Sequence, residues 1–178
     1  IEKILELVEE QRFLMITGAS GEGKSSLVYA GLIPNAVAGF INAKFSNWAV
    51  SDFRPEHRPL DNLTAALASS LKFDNHDTLK SILRLGYSAL VDLYKNSARH
   101  LDFESDEWKN ADAGKQKELK KDAANLLVLV DQFEEFFTNP ENFMRGEVQH
   151  DAKAVVSLLL ETNKLALEQN LPIYIVCT

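Results

Sequence analysis

A single cysteine, Cys177, has no partner within the chain, so no disulfide framework holds it. A lone thiol also fits a reducing compartment. No apolar run is long enough to span a bilayer. Basic charge is in short supply: 19 Lys and Arg stand against 26 Asp and Glu, a net charge of −7. Generic nucleic-acid binding normally shows as a basic surface, so that class is excluded. The one basic run, KQKELKK (Lys115–Lys121), has acidic neighbours and reads as a solvated face. The four histidines, His57, His76, His100 and His150, are scattered without ligand spacing, which leaves no transition-metal site to propose. The first residues, IEKILELVEEQ, are charged and helix-periodic and read as a helix rather than a secretory leader. Together these absences point to a cytoplasmic protein without nucleic-acid or membrane partners.

What is present is ordinary for one globular domain. Of 178 residues, 46% are hydrophobic and 25% charged, enough to bury one sizeable core. The chain does not open on Met, and LPIYIVCT at its other end reads as a buried strand, so the expectation is a piece of a longer protein. Ile1, Ile4, Leu5 and Val8 share one helical face. FLMIT (Phe13–Thr17) is a short apolar run suited to a central parallel strand. KSSLVYAGLI reads as a helix ending near Gly31 and Pro34. AKFSNWAV (Ala43–Val50) reads as a strand, RPEHRP (Arg54–Pro59) as an extended loop, and Leu60, Leu63, Leu67 and Leu71 as a helix stripe. TLKSILRLGYSALVDLYK predicts one amphipathic helix with Leu79, Ile82, Leu83, Leu90 and Leu93 inward. Polar sequence surrounds it, so about 74–125 reads as a helical, solvated insertion in a domain spanning 1–178. LLVLVD (Leu126–Asp131) is a buried strand, Val148–Leu167 a long helix, and IYIVCT (Ile173–Thr178) a last strand. Strands alternating with helices argue for a parallel α/β sheet.

Glycine is scarce, eight residues in all, yet three fall within GASGEGKSSL (Gly18–Leu27). The stretch Gly18–Ser25 fits G-x-x-x-x-G-K-[ST], between an apolar strand and a helix. A triphosphate needs many donors aimed at one point, and backbone N–H groups supply them only where Cβ atoms do not obstruct the curl. Gly18, Ala19, Ser20, Gly21, Glu22 and Gly23 form that cradle, and the helix beginning near Lys24 aims its N-terminus at the same anion. Lys24 reaches the β- and γ-phosphates, the Ser25 hydroxyl ligates Mg²⁺, and Ser26 adds a contact to the α-phosphate. Downstream, LLVLVDQFEEFF places Asp131 at the carboxyl end of a strand, where ligands of open α/β sheets bind and where a carboxylate holds Mg²⁺. Gln132 follows it, so the base that polarises water is sought at Glu135 first and Glu134 second. Arg54 and Arg58 read as surface residues fixed by their prolines, with a role as fingers toward a neighbouring nucleotide as the alternative.

With both motifs in view, the chain resembles the STAND-class NTPases, signal-transduction ATPases with numerous domains. It is most similar to the bacterial branch whose ATPase often precedes β-propeller or other repeats. GASGEGKSSLVYAGLIP (Gly18–Pro34), RPEHRPLDNLTAAL (Arg54–Leu67) and LLVLVDQFEEFF (Leu126–Phe137) carry the likeness. It implies a three-layer α/β/α P-loop core of ASCE type, with the strand ending at Thr178 between the Walker A and Walker B strands and Thr178 near the γ-phosphate. The family's fifth strand and winged helix are expected outside this piece. The resemblance further implies ATP/ADP and Mg²⁺ as ligands, ATP-dependent self-association, fused effector or repeat domains, and a low-turnover switch in signalling or antiviral defence. The alternatives are a P-loop small-molecule kinase, whose Thr17 and Asp131 strands would be neighbours, and a nucleotide-binding scaffold without turnover.

Overall fold

The computed structural model describes residues 2–144 and 147–178. The chain begins with α1 (Glu2–Gln11), which buries Leu5 and Val8; Ile1, expected on the same face, lies outside the described residues. Strand β1 (Phe13–Met15) leads into the glycine loop. From Gly23 the chain turns helical: α2 (Lys24–Leu27) widens into a π turn (Val28–Leu32) and continues as α3 (Ile33–Val37). The helix therefore does not stop at Gly31 and Pro34, as the sequence predicts. The Ile33 N–H reaches back to the Val28 carbonyl, five residues away. That widened turn immediately precedes Pro34, whose ring lacks an N–H to give, so the proline is carried without breaking the helix.

Strand β2 (Trp48–Phe53) starts and ends later than Ala43–Val50, and α4 (Pro59–Leu71) follows with Leu60, Leu63, Leu67 and Leu71 all buried. The predicted long helix is two, α5 (His76–Arg84) and α6 (Ala89–Lys95), broken where Gly86 and Tyr87 take φ of 68° and 54°. Leu79, Leu83, Leu90, Leu93 and Tyr94 from these helices join the main core, while α7 (Asp106–Asn110) and α8 (Ala113–Asp122) bury nothing. Then come β3 (Asn125–Val130), α9 (Glu135–Thr138), a two-stranded antiparallel ribbon of β4 (Phe143–Met144) and β5 (Glu147–Val148), α10 (His150–Glu168) and β6 (Ile173–Cys177). Val148 thus pairs in the ribbon, and the last long helix begins at His150 rather than at Val148.

Four strands form one parallel sheet in the order β1-β6-β3-β2. Every residue of β3 and β6 is buried. Their side chains alternate between two apolar layers, as a two-residue period requires. Leu126, Val128, Val130, Ile173, Ile175 and Cys177 face α4 and α10, while Leu127, Leu129, Tyr174 and Val176 face α1 and the helix after the glycine loop. Each aliphatic side chain so buried contributes about 2 kcal/mol. The result is the expected three-layer α/β/α arrangement, with the strand before Thr178 lying between those before Thr17 and Asp131. A kinase with adjacent Walker strands is thereby excluded. One expectation differs: β1 is an edge strand among the described residues, and Met15 is 45% exposed. Arg12 fastens that edge. Its guanidinium donates to the carbonyls of Ala166 and Leu171 and to Asn170 Oδ1, across the end of α10.

Candidate nucleotide site

All four parallel strands deliver their carboxyl ends to one side of the sheet, and the candidate residues follow those ends. Gly21 and Gly23 have φ of 84° and 79°, the left-handed region that only glycine enters without strain. A Cβ built on either would meet nothing within 4 Å, so the space before the loop is open and the backbone faces it bare. Gly18 serves differently: its φ is not left-handed, and an added Cβ would lie 2.5 Å from Glu22 Oε2. The Glu22 carboxylate turns back into the loop and accepts the Ala19 N–H at 2.8 Å. Lys24 Nζ donates to the carbonyls of Gly18 (2.9 Å) and Ala19 (3.1 Å), which fixes its ammonium at the loop's rim.

Asp131 is the centre of the site. It is 7% exposed and stands one residue past β3. Its Oδ1 accepts from the Ser25 hydroxyl at 2.6 Å and from the Thr178 hydroxyl at 2.7 Å. Thr178 Oγ1 in turn accepts the Gln132 N–H at 3.2 Å. Thus residues 106 and 47 positions apart in sequence meet on one carboxylate oxygen. Gln132 takes φ of 61°, an uncommon conformation for a side-chain-bearing residue and one that costs about 1 kcal/mol. It lets the next N–H, that of Phe133, bond the Thr178 carbonyl at 2.8 Å. A cleft of about 260 Å³ lies in front, lined by Ser20, Gly21, Lys24, Ser25, Gln132 and Glu134 among others. Ala19 and Glu22 shape the loop, and Ser26, Gly23 and Thr178 also line the cleft.

Glu134 and Glu135 stand in different surroundings. Glu134 faces the cleft. Both oxygens of Glu135 are engaged: Oε1 lies 3.3 Å from the Arg54 guanidinium, and Oε2 accepts the Glu56 N–H at 2.9 Å. Arg54 also donates to Gln132 Oε1 and lies 4.0 Å from Asp131 Oδ2. Arg54 is exposed, as its reading as a surface residue has it, and it also reaches the candidate site of its own chain, because it is the first residue past β2 and β2 pairs in parallel with β3. That position at a strand's carboxyl end was the available signal. Tyr29 was missed as well. Its pKa is pushed up to about 12 by burial and then by the carboxylates of Asp52 and Asp131. Arg58 joins none of these contacts.

The donor set fits a hard divalent cation carried with phosphates. A hydroxyl and a carboxylate converge beside an open backbone cradle, and Mg²⁺ is commonly held by one or two such oxygens plus phosphate oxygens. Among the described residues, no cluster of three or more His, Cys, Asp or Glu could hold a metal by itself. A larger groove of about 470 Å³ beside α10, lined by Phe137, Val148, Lys153, Val156 and Ser157, has no comparable convergence of polar groups.

The glycine cradle, Lys24 and the Ser25–Asp131 pair, set on this strand order, define a P-loop NTPase. A family model described as Novel STAND NTPase 1 (nSTAND1) matches residues 1–178, and the chain belongs to that family. No curated protein and no solved structure gives a significant match. No helix among the described residues is long and apolar enough to cross a membrane.

Proposed function

We propose that this domain binds Mg·ATP and Mg·ADP and hydrolyses ATP slowly, as the switch module of a larger signalling or defence protein. The observation that carries the reading is the meeting of Ser25 and Thr178 on Asp131 Oδ1 at the mouth of the glycine cradle. In this reading the loop from Gly18 to Gly23 and the N-terminus of the following helix bind the phosphates, with Ser26 on the α-phosphate. Lys24 exchanges its two carbonyl partners for the β- and γ-phosphates. Ser25 and Asp131 would hold Mg²⁺, which would supply positive charge against the phosphates. Thr178 orients Asp131 and stands beside the γ-phosphate. For polarising the attacking water we put Glu134 ahead of Glu135, because Glu134 lines the cleft and Glu135 does not. Turnover of about 10⁻⁴ to 10⁻² per second suffices for a switch, because the two states need only differ in affinity for ATP and ADP. ATP-dependent self-association, fused effector or repeat domains and a cytoplasmic location belong to the same proposal and draw on the family.

Calorimetric titration of the full-length protein with ATP, ADP and GTP in the presence of Mg²⁺ tests it. Adenine nucleotides are expected to bind and Lys24→Ala to abolish the binding. Equal binding by Lys24→Ala, or none by the unmutated protein, would refute the reading.

A further inference from the structure

Arg54 is the one guanidinium that approaches the candidate metal carboxylate among the described residues. Its side chain is 43% exposed, whereas that of Asp131 is 9% exposed. Three acceptors surround it, all from the segment after β3: Asp131 Oδ2, Gln132 Oε1 and Glu135 Oε1. The backbone that carries it is fastened separately. Asn62 donates to the carbonyls of Arg54 and Pro55, Asn139 and Asn142 donate to the carbonyl of Glu56, and the Glu56 N–H bonds Glu135. Glu56 itself takes φ of 45°, so this loop is held in a conformation the chain would leave if released.

A guanidinium near Asp131 and a divalent cation bound to Asp131 repel one another, so the two compete for the same carboxylate. A second seat for Arg54 lies close by. Asp52 lies two residues before Arg54, near the carboxyl end of β2. Beside it is a cavity of about 380 Å³ lined by Tyr29, Asp52, Arg54, Glu56 and Asn62. Asp52 offers a carboxylate there, and Tyr29 lines the same cavity.

We infer that Arg54 is the resident cation of the site: it holds Asp131 and Glu135 until a nucleotide-borne divalent cation displaces it toward Asp52, which frees Glu135 Oε1 and loosens the Glu56 N–H bond on the same carboxylate. The inference rests on the nucleotide reading above and adds what that reading lacks, a moving part. Tyr29, on the helix after the glycine loop, lines the cavity that holds the receiving carboxylate, and Asn139 and Asn142 tie the loop to the segment after α9. The exchange of one guanidinium is thereby felt on two elements outside the cleft.

The test uses the full-length protein with ADP and with a non-hydrolysable ATP analogue, each with Mg²⁺ or with EDTA. Hydrogen exchange over residues 56–58 reports the Glu56 N–H bond to Glu135. Mg²⁺ with nucleotide is expected to speed exchange there by about threefold or more, and nucleotide with EDTA to leave it unchanged. Calorimetric Mg²⁺ titration at saturating nucleotide is expected to show Arg54→Met binding the cation about tenfold more tightly than wild type, with Arg54→Lys in between because it keeps the charge but not the fork. If wild type binds Mg·nucleotide while exchange at 56–58 does not change and Arg54→Met binds Mg²⁺ no more tightly, the inference is overturned and the nucleotide reading stands. If wild type binds no Mg·nucleotide, the nucleotide reading itself falls. The exchange experiment needs no variant, so misfolding of Arg54→Met cannot shelter the inference.

Discussion

Removing the hydroxyl of Ser25 and the carboxylate of Asp131, singly and together, measures the bond on which the site is built. The bond is 2.6 Å long, made by a neutral donor to a mostly buried carboxylate. Hydrogen bonds to charged groups contribute about 1.5–3 kcal/mol net. In Ser25→Ala the carboxylate keeps its 2.7 Å bond from Thr178 and its proximity to Arg54, and water can reach the partly exposed gap. The expected loss is therefore about 1–1.5 kcal/mol, below the full value of such a bond. In Asp131→Ala both hydroxyls and the guanidinium lose their shared acceptor, and about 2–3 kcal/mol is expected. Alanine is preferred to asparagine because an amide oxygen would still accept from both hydroxyls. Once Asp131 is gone, losing the Ser25 hydroxyl should cost little, so the double variant falls short of the sum by about 1 kcal/mol. Equilibrium urea unfolding of the four proteins in EDTA gives all the terms. A coupling below about 0.3 kcal/mol, within the scatter of independent sites, would mean that the two residues do not meet as described.

Two further predictions concern groups outside the cleft. His100 is half-buried against Tyr94, ring centroids 5.5 Å apart, and its pKa is lowered by burial and then by Lys44. The unfolded imidazole takes a proton near pH 6.5 while the folded one resists it, so the unfolded state binds more protons below that pH and stability falls as pH drops through that range. Denaturation midpoints between about pH 7.5 and 5 should fall less steeply for His100→Gln than for wild type, and parallel curves would contradict the assignment. Burial pushes the Cys177 thiol up to about 12. A thiol reagent at about pH 8 should therefore label it only as fast as the sheet opens, and equal labelling of folded and urea-unfolded protein would count against its place in β6.

What was legible in the sequence was what short segments decide alone. The left-handed turns at Gly21 and Gly23, the all-apolar run into Asp131 and the leucine stripe of α4 are local demands, visible at fixed spacing. The place of β6 between β1 and β3 came from the resemblance, and the ladder registers agree with it. The misses have non-local or compensated causes. Pro34 is a reliable stop signal unless the preceding turn has already widened to spare its missing N–H. The break between α5 and α6 sits inside a stretch whose apolar spacing never falters, so periodicity reads through Gly86. Arg54 finds its partners 78 and 81 residues downstream, a pairing that exists only once β2 lies against β3.

The position of β6 has a consequence for the order of events during synthesis. Among the described residues β1 pairs with β6 alone, and β3 reaches β1 only through it. The half carrying the glycine loop and the half carrying Asp131 therefore share no ladder until residues 173–177 slide in between them. A ribosome delivers those residues well after both halves have emerged, at about 5–20 residues per second. Through that interval the nascent chain holds two incomplete edges, and neither half can grip a nucleotide in the geometry described. The strand that joins the two halves also brings Thr178 to Asp131, so a ligand that binds the site described acts as a reporter that β6 has arrived.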